Sequence, residues 1–207
     1  MTTETVNGTA TSYTYNTVDE QQHAGSYPYN GAGDQTTTAS GTTLAYNPLA
    51  QTATVTVTGG SAHTYTYTGS GQSGLIAAGA TSLQNSSILG VTATTTTGAT
   101  TSYTRTPTGA LTTLRSGASS YYYLSDAKGN IIGLINTSGG AVGTYSYDPY
   151  GNLTSSAPTG IAATNPFRYS ASYLTGDGLY HNSARYYDPT TGHWTQQDPS
   201  GQNPGYV

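Results

Sequence analysis

Short stretches of the chain alternate between polar and apolar residues. The segment 52–58 reads Thr-Ala-Thr-Val-Thr-Val-Thr, and the segment 64–68 reads Thr-Tyr-Thr-Tyr-Thr. A period of two is typical of strands, whose successive side chains point to opposite faces of a sheet. No segment of ten or more residues carries an apolar stripe at helical spacing. The pattern therefore predicts an all-β protein with short strands.

Tyrosines recur about every 20 residues, often as pairs separated by one residue. The pairs are Tyr13 and Tyr15, Tyr27 and Tyr29, Tyr65 and Tyr67, Tyr121 and Tyr123, and Tyr145 and Tyr147. Each pair places two rings on one face of a strand, where they can contact the rings of the next repeat. We expect each repeat to be a β-hairpin, and the tandem hairpins to form a curved or spiralling antiparallel sheet with open edges.

A turn signal follows many of the tyrosine pairs, with Asp, Asn or Thr three residues before a glycine. The instances are Asn30 and Gly33, Thr68 and Gly71, Thr106 and Gly109, Asp126 and Gly129, Asp148 and Gly151, and Asp198 and Gly201, with Asn47 and Ala50 as a degenerate copy. In a type I turn the short polar side chain at the first position accepts from the backbone, and glycine takes the left-handed conformation at the end. A glycine bulge after such a turn closes a hairpin loop.

The composition is unusual for an ordered protein. Leu, Ile, Val and Phe together number 26 of 207 residues, whereas tyrosine alone accounts for 20. Low apolar content is typical of disorder, but disorder also favours high charge and few aromatic residues, and only 7% of these residues are charged. We therefore expect a folded core built from tyrosines. Because buried phenol hydroxyls need hydrogen-bond partners or water, this predicts a half-wet core or a hollow interior.

Charged and metal-binding side chains are few and scattered. The basic residues are Arg105, Arg115, Lys128, Arg168 and Arg185, and the histidines are His23, His63, His181 and His193. Isolated cations cannot neutralise a run of phosphates, which excludes nucleic acid as the main partner. The chain has no cysteine and no histidine pair at ligand spacing, so we expect neither a metal nor a cofactor. Its longest apolar runs are too short for a membrane span or a secretory signal.

Two segments in the last third of the chain resemble one known family. The segment 144–153 reads Thr-Tyr-Ser-Tyr-Asp-Pro-Tyr-Gly-Asn-Leu and resembles the tyrosine-aspartate (YD) repeat, and the segment 178–199 resembles the core signature associated with RHS repeats. The residues that carry the resemblance are Tyr145, Tyr147, Asp148, Pro149, Gly151, Arg185, Tyr186, Tyr187, Asp188, Pro189, Gly192, Trp194, Asp198, Pro199 and Gly201. The resemblance implies a long β-sheet that spirals into a hollow shell, with polymorphic toxins among the bacterial members and teneurins as distant relatives.

The resemblance also implies a self-cleavage site built from two Asp-Pro-x-Gly motifs. Asp198, Pro199, Ser200 and Gly201 match the first motif, and no second motif follows before Val207. We therefore expect a sequence truncated after the first motif, without self-cleavage, catalytic residues or enzymatic activity, in which Asp198 is an isolated half of the site. The loop in 173–180 and His193 also depart from the family pattern, which predicts a remodelled cap.

Three side-chain groups in this signature allow two interpretations each. Asp188 and Asp198 suit either a paired acid/base site or, as we favour, the capping of turns before proline. Arg185 suits either an anionic ligand or, preferably, ring stacking together with an ion pair to Asp177 or Asp188. Trp194 suits either a sugar-stacking platform or, preferably, a packed anchor under the cap.

The pattern divides the chain into three parts and leaves two functions open. Residues 1–25 are a candidate exchanged or edge strand, residues 26–166 are degenerate YD repeats, and residues 167–207 are a cap that resembles the RHS core. Open sheet edges favour a secreted or surface-exposed subunit that pairs head-to-tail with copies of itself in a filament or tube. The alternative is a truncated part of an RHS toxin shell that encapsulates a partner. Glycans stay open as further ligands in either case.

Overall fold

The computed structural model describes residues 2–6, 8–15, 21–23, 28–155 and 157–200, and almost all of its regular structure is antiparallel sheet. The strands form three sheets, of three, eleven and four strands. The longest α-helix in the described residues is α1 (Gly160–Thr164), and a 3₁₀ turn covers Tyr169–Ala171. The prediction of an all-β fold made of tandem hairpins is confirmed.

The first sheet is formed by residues close to the amino terminus. Its strands are β1 (Thr2–Val6), β2 (Thr9–Tyr15) and β3 (Gln21–His23), paired in chain order. The described strands of this region pair with one another, so that β1 and β3 form the edges of the sheet. The assignment of residues 1–25 as an exchanged or edge strand stays a prediction, as does the boundary at residue 166. Short connections bring consecutive strands together as hairpins, which is the usual outcome for neighbouring strands in a chain.

The second sheet is a meander of eleven strands that contains the repeats. Its strands are β4 (Thr43–Tyr46), β5 (Thr52–Thr56), β6 (Ala62–Tyr67), β7 (Leu75–Ala78), β8 (Thr81–Ser86), β9 (Gly90–Thr96), β10 (Ala99–Arg105), β11 (Leu111–Ser116), β12 (Ser119–Ser125), β13 (Ile131–Asn136) and β14 (Ala141–Thr144). Every strand pairs with the strands before and after it in the chain. We call this sheet the repeat sheet. It ends at Thr144.

The repeat sheet is open, because its outermost strands β4 and β14 do not pair with each other. The preceding residues partly cover the outer edge of β4, since the Leu44 amide donates to the Thr36 carbonyl at 2.9 Å and Thr37 bridges to Thr43. Helix α1 packs against β14 at the other end. That contact is tight, because a side chain at Gly143 would collide with Ala162.

The predicted turns connect the hairpins through the predicted hydrogen bonds. At Asp126 the carbonyl accepts from the Gly129 amide at 3.1 Å, and Oδ1 accepts from the amides of Lys128 and Asn130 at 2.9 Å. The same closing bond to the residue three positions later occurs at Asn30, Asn47, Thr106 and Asp148, and also at Asn136, which our sequence pattern omitted. Ala50 adopts the left-handed conformation (φ 56°) in place of glycine in the degenerate copy.

One predicted turn is wrong, and another is only partly described. Thr68 does not close a bond with Gly71; its amide donates instead to the Gly74 carbonyl at 2.8 Å, across a longer loop. The Gly201 end of the last signal lies outside the described residues. Register shifts accompany many of the turns, between Ala45 and Tyr46, Thr66 and Tyr67, Gln84 and Asn85, Thr104 and Arg105, Leu124 and Ser125, and Leu134 and Ile135. These shifts are the bulges that a hairpin of this type requires.

The third sheet belongs to the C-terminal segment, which we define as residues 145–200. Its strands are β15 (Tyr173–Leu174), β16 (Tyr180–Asn182), β17 (Arg185–Asp188) and β18 (His193–Trp194), paired in chain order. The segment packs on one face of the repeat sheet and forms a single hydrophobic cluster with it. The chain's own residues therefore cover this face of the repeat sheet.

Tyrosines and aliphatic residues share this core. The buried tyrosines are Tyr65, Tyr103, Tyr123, Tyr145, Tyr173, Tyr180 and Tyr186, and the buried aliphatic residues include Leu44, Val55, Leu75, Leu83, Val91, Leu114, Ile131, Leu134 and Leu179. The prediction of a tyrosine core is thus correct in kind, but the few aliphatic residues are also concentrated there. Most strands of the repeat sheet place one or two of these side chains in the core. Because successive side chains alternate between faces, many of the neighbouring Thr and Ser residues point away from it.

Candidate functional site

Specific polar contacts join the C-terminal segment to the repeat sheet, and we take this interface as the candidate site. The first of these contacts involves Asn165, which lies just after α1 and is 2% exposed. Asn165 Oδ1 accepts from the Tyr123 hydroxyl at 2.8 Å, and its Nδ2 donates to the Phe167 carbonyl at 2.8 Å. The Phe167 ring then meets the Tyr103 ring edge to face, with centroids 4.8 Å apart. The segment is thereby attached to two successive repeats of the sheet.

A second contact cluster surrounds Tyr186, whose side chain has no exposed surface. Its hydroxyl lies 2.7 Å from that of Tyr67, which donates to the Thr52 carbonyl at 2.9 Å. The rings of Tyr65 and His181 lie 5.4 and 5.1 Å from the Tyr186 ring. Burial raises the pKa of both hydroxyls above the ordinary tyrosine value, so both stay protonated and can donate at neutral pH.

Asp177 attaches the loop before β16 to the same region of the sheet. Its carboxylate accepts from the Tyr65 hydroxyl, from the Leu179 amide at 3.1 Å and from the Thr175 hydroxyl at 2.5 Å. Burial and then the nearby Asp177 charge raise the pKa of Tyr65. The loop that departs from the family pattern therefore contacts the repeat sheet directly, and the remodelled cap stays a prediction.

Two glutamines connect the C-terminal segment to the first hairpins of the repeat sheet, with Gln196 in the segment and Gln72 among the hairpins. Gln72 Nε2 donates to Gln196 Oε1 at 2.7 Å and to the Ala184 carbonyl at 3.0 Å, while its Oε1 accepts from the Thr52 amide at 2.9 Å. Gln196 Nε2 donates to the Ala50 carbonyl at 2.8 Å. Both glutamines are buried, so these amides satisfy backbone groups that water cannot reach.

We expect the substitution Gln72→Ala to weaken this attachment strongly. It leaves the Thr52 amide and the Ala184 carbonyl without partners, and each buried unsatisfied group costs about 1–3 kcal/mol. The free energy of unfolding in urea should fall by about 2–4 kcal/mol. The matched control is Gln84→Ala at an exposed position of β8, which should change stability by less than about 0.5 kcal/mol. Equal losses in the two variants would show that the amide network contributes nothing specific.

Arg185, Trp194 and Asp198 form an ion pair stacked on a ring. Arg185 Nη2 lies 3.0 Å from Asp198 Oδ2, and its guanidinium carbon lies 4.3 Å from the Trp194 ring centroid. The ring stacking was predicted, but the predicted partners Asp177 and Asp188 are wrong. Asp177 is engaged with Tyr65, and Asp188 with its own turn, whereas strand β18 brings Asp198 back alongside β17.

The two aspartates cap turns. Asp188 Oδ1 accepts from the Thr190 amide at 2.8 Å and from its hydroxyl at 2.6 Å. Asp198 Oδ1 accepts from the Ser200 amide at 2.9 Å and hydroxyl at 2.6 Å, and these bonds lower the pKa of Asp198. These hydrogen bonds are those of turn caps, which is the interpretation that we favour.

The YD motif and the core signature bind each other. Within the YD motif the Tyr147 hydroxyl donates to the Ile131 carbonyl at 2.6 Å, and Asp148 holds its turn. Asn152 Nδ2 donates across to the Pro189 carbonyl at 2.7 Å, and the Tyr187 hydroxyl donates to the Tyr150 carbonyl at 2.8 Å. Other motif positions add three hydrogen bonds. The Tyr145 hydroxyl donates to the Ala162 carbonyl, the Tyr169 hydroxyl to the Pro149 carbonyl and the Tyr180 hydroxyl to the Gly151 carbonyl. Gly192 lies so close to the Tyr150 ring that a side chain there would collide with it.

Sequence reasoning missed three polar residues that organise the interface, namely Gln72, Asn165 and Gln196. No local pattern distinguishes them from other polar residues in the chain. A signal did exist for Asn130 and Asn152, because each follows the glycine of an Asp turn, and its Nδ2 donates to that aspartate at 2.7 and 2.8 Å. Within the described part of the chain, no three His, Asp or Glu side chains are grouped so that they could hold a metal ion.

Comparison with known proteins agrees with this geometry. The profile of the teneurin YD-shell family matches residues 92–203. The chain belongs to the teneurin YD-shell family. This YD-shell chain is 35% identical over 86 residues to the tRNA nuclease WapA of Bacillus subtilis (strain 168), a match that covers 41% of the chain and 4% of WapA. The resemblance to RHS and YD-repeat proteins is thus confirmed.

Solved structures share the fold of this YD-shell chain. A crystal structure of TcdB2-TccC3-TEV matches it with a TM-score of 0.72 at 18% identity, over 95% of this chain and 11% of that one. The Tc holotoxin pore of Photorhabdus luminescens matches with a TM-score of 0.65 at 19% identity, over 86% of this chain and 10% of that one. The chain therefore spans about a tenth of these solved chains. None of the helices among its described residues is long and apolar enough to cross a membrane.

Proposed function

We propose that this chain is a wall segment of a YD-repeat shell that encloses a partner polypeptide. The observation that carries the proposal is the eleven-stranded repeat sheet, whose fold matches TcdB2-TccC3 over 95% of the chain. A meander of hairpins can be extended by further repeats at either end, because each hairpin pairs only with its neighbours. In this role the chain is structural, with no chemistry of its own, and acts outside the cell or at its surface.

The C-terminal segment serves in this proposal as a brace on the wall. It contacts Tyr67 and Gln72 in the first hairpins of the repeat sheet and Tyr123 and Ile131 in the last ones. A brace that touches both ends fixes the curvature of the sheet between them. Loss of the brace should therefore open the wall without destroying the hairpins themselves.

Protease protection tests the proposal in extracts of the source cells. The protein is purified by affinity tag and treated with proteinase K, and any surviving second polypeptide is identified by mass spectrometry. We expect a polypeptide that survives with the unaltered protein and is digested with the core variant Tyr186→Ala. The exposed-face variant Tyr122→Ala is the control and should protect it fully. Absence of any protected polypeptide, or equal protection by the core variant, would contradict an enclosing wall.

Self-assembly into a filament is a second candidate, supported by the open ends of the sheet and by the scarcity of charge. Unpaired edges template strand addition, and only 7% of the residues are charged, so few like charges oppose association. The cover that Thr36 and α1 provide at the two ends favours the wall instead. Negative-stain microscopy separates the two: filaments that persist in high salt support assembly, and single particles at every concentration exclude it.

Glycan binding at Trp194 receives less support from the geometry. One ring face lies under Arg185, and the Tyr187 ring meets it edge to face at 5.4 Å. A sugar-stacking platform needs a free aromatic face. A glycan array with the unaltered protein and with Trp194→Phe tests this directly, and binding that disappears in the variant would establish Trp194 as a platform.

A further inference from the structure

A large cavity lies between the C-terminal segment and the turns of the repeat sheet. Its volume is about 710 Å³, which falls within the roughly 300–1,000 Å³ of typical small-molecule sites. On the repeat-sheet side it is lined by the loop between β6 and β7, by the turn between β8 and β9, and by the end of β10. On the other side it is lined by Phe167, by residues 170–173 and by residues 181–183. The attachment of the segment thus leaves a space of ligand size beside it.

Hydroxyl and amide side chains dominate the lining of this cavity. Seven of the lining residues are serine or threonine and two are asparagine, whereas none is aspartate or glutamate. The side chains of Ser87, Ser172 and Asn182 form no hydrogen bond within the part of the chain that the structure describes. A hydroxyl or a primary amide can both donate and accept a hydrogen bond. The lining therefore suits a ligand that itself carries several hydroxyl groups.

Tyr173 supplies a buried donor to the cavity. Of the seven buried tyrosines, it is the one whose hydroxyl has no hydrogen-bond partner among the described residues; the other six all use theirs. Tyr173 is 8% exposed, and the enclosed side-chain atoms without a partner belong to other residues, so its hydroxyl keeps accessible surface. Because Tyr173 lines the cavity, that free hydroxyl is available to a ligand there. Burial, and then the nearby Tyr103, raise the pKa of Tyr173, which keeps the hydroxyl protonated.

Arg105 brings positive charge to the same part of the cavity. Its guanidinium carbon lies 4.9 Å from the centroid of the Phe167 ring, which in turn lies 5.8 Å from the Tyr173 ring. Nη1 donates to the Gly109 carbonyl at 2.9 Å and Nε is enclosed, whereas Nη2 is neither bonded nor enclosed. No carboxylate among the described residues forms a salt bridge with Arg105. Two side chains with a free donor therefore meet at one aromatic ring.

The backbone at the rim of the cavity adopts an uncommon conformation. Ser170, Ala171 and Ser183 have φ values of 53°, 51° and 57°, and they are three of the five non-glycine residues with positive φ in the described ranges. Residues in such conformations are concentrated at ligand sites, where the surrounding structure holds them in place. Here Asn130 Oδ1 accepts from the Ser170 amide at 2.8 Å. The rim is thus fixed by contacts within the protein.

We propose that this cavity binds a sugar that carries one carboxylate group. The carboxylate matches the charge of Arg105 and accepts from its Nη2. The sugar hydroxyls match the serine, threonine and asparagine side chains of the lining, and Tyr173 donates to a further ligand oxygen. An apolar acid would leave these polar groups without partners. The source of the ligand is either a free sugar acid or the acidic end of an oligosaccharide.

Titration of the full chain with glucuronate, followed by saturation-transfer NMR of the ligand, tests the proposal. We expect glucuronate to bind at millimolar concentration. Glucuronamide keeps the hydroxyls but lacks the charge, and acetate keeps the charge but lacks the hydroxyls, so each should bind at least about 10-fold more weakly. Binding of either compound with the affinity of glucuronate would overturn the proposal. So would the absence of glucuronate binding at millimolar concentration.

The variant Tyr173→Phe connects the binding to this cavity. It removes one hydroxyl that has no partner among the described residues and keeps the ring against Phe167, so the melting temperature should not fall. Glucuronate binding should weaken by about 3- to 10-fold, because a hydrogen bond to the ligand is lost. Tyr122→Phe makes the same change on the exposed face of β12 and should leave binding unaltered. Undiminished binding in Tyr173→Phe would place the ligand elsewhere and overturn the proposal.

The variant Arg105→Met tests the recognition of the carboxylate. It removes the charge at similar volume, so the protein should no longer prefer glucuronate to glucuronamide. Arg115→Met at an exposed arginine is the control and should keep the preference. A preference that persists in Arg105→Met would overturn the role of Arg105. The Tyr173→Phe measurement keeps the proposal open to refutation if Arg105→Met fails to fold.

The disaccharide cellobiouronate, in which glucuronate is attached to glucose, distinguishes the two sources of the ligand. Tighter binding of cellobiouronate than of glucuronate identifies the end of an oligosaccharide as the ligand, and weaker binding identifies a free sugar acid. Both outcomes require that glucuronate is preferred to its amide. The proposal does not depend on whether the chain forms a shell or a filament.

Discussion

The protein should unfold cooperatively between pH 10 and pH 11. All seven buried tyrosines have a pKa raised above the ordinary value of 10.0, chiefly by burial, and for Tyr180 the pKa is raised to about 12. Above pH 10 the unfolded chain therefore releases protons that the folded chain retains. Stability is fully present below pH 10 and falls as the pH rises toward the folded-state values.

The size of this loss follows from the number of buried hydroxyls. Each group contributes about 1.4 kcal/mol per pH unit in the window between its unfolded and folded pKa values. The pKa is raised furthest for Tyr65, Tyr123, Tyr173, Tyr180 and Tyr186. These five groups alone remove on the order of 7 kcal/mol at about pH 11, which is comparable to the total stability of a typical domain.

Tyrosinate absorbance and near-ultraviolet circular dichroism, recorded together during a pH titration, check this expectation. The buried tyrosines should ionise together, in a step that coincides with the loss of the dichroism signal. Added salt should not move that step, because desolvation and not surface repulsion causes it. Gradual ionisation of all tyrosines in a folded protein would contradict the burial described above.

The substitution Tyr186→Ala should lower the free energy of unfolding by about 3–5 kcal/mol. The side chain is completely buried and contacts the rings of Tyr65 and His181, so its removal leaves a cavity between the C-terminal segment and the repeat sheet. Urea denaturation followed by the fluorescence of Trp194, the one tryptophan of the chain, measures the loss. Because Trp194 lies in the C-terminal segment, this signal reports on the attachment itself.

Two further variants separate packing from hydrogen bonding at this position. Tyr186→Phe keeps the ring and removes the hydroxyl next to Tyr67, which retains its bond to the Thr52 carbonyl, so a loss of about 1 kcal/mol is expected. Tyr122→Ala on the exposed face of β12 is the control and should be close to neutral. A large loss in the control together with a small loss in Tyr186→Ala would mean that the opposite face of the sheet forms the core.

The repeat sheet was predictable because its signals are local. Period-two alternation, tyrosine spacing and Asp or Asn turns each act over a few residues, and their physical causes are steric and hydrogen-bonding preferences within that range. Asp126 and Asp148 therefore cap turns in the structure as they do in the pattern. The turn at Thr68 failed because its loop extends to Gly74, whose carbonyl accepts from the Thr68 amide. The cover that the C-terminal segment gives to the repeat sheet was not predicted, since spacing within repeats carries no information about what covers them.

The candidate site was predictable as a set of motifs but not as a set of contacts. The YD motif and the core signature were recognised from residue order, and the stacking of Arg185 on a ring was expected from composition. The partner of Arg185 was assigned wrongly, because Asp198 reaches it only through the pairing of β17 with β18. Gln72 and Gln196 stand 124 residues apart and had no distinguishing pattern.

Strand content, hairpin order, turn positions and membership of a YD-repeat family thus follow from neighbouring residues in the chain. The fold of the C-terminal segment onto the repeat sheet decides the rest: which tyrosines lose contact with water, which amides meet, and which cation is left without a counter-ion. Such properties depend on burial and on distances between residues far apart in sequence. Arg168 has the same side chain as the exposed Arg115, and only its surroundings in three dimensions leave its charge buried without an ion pair among the described residues.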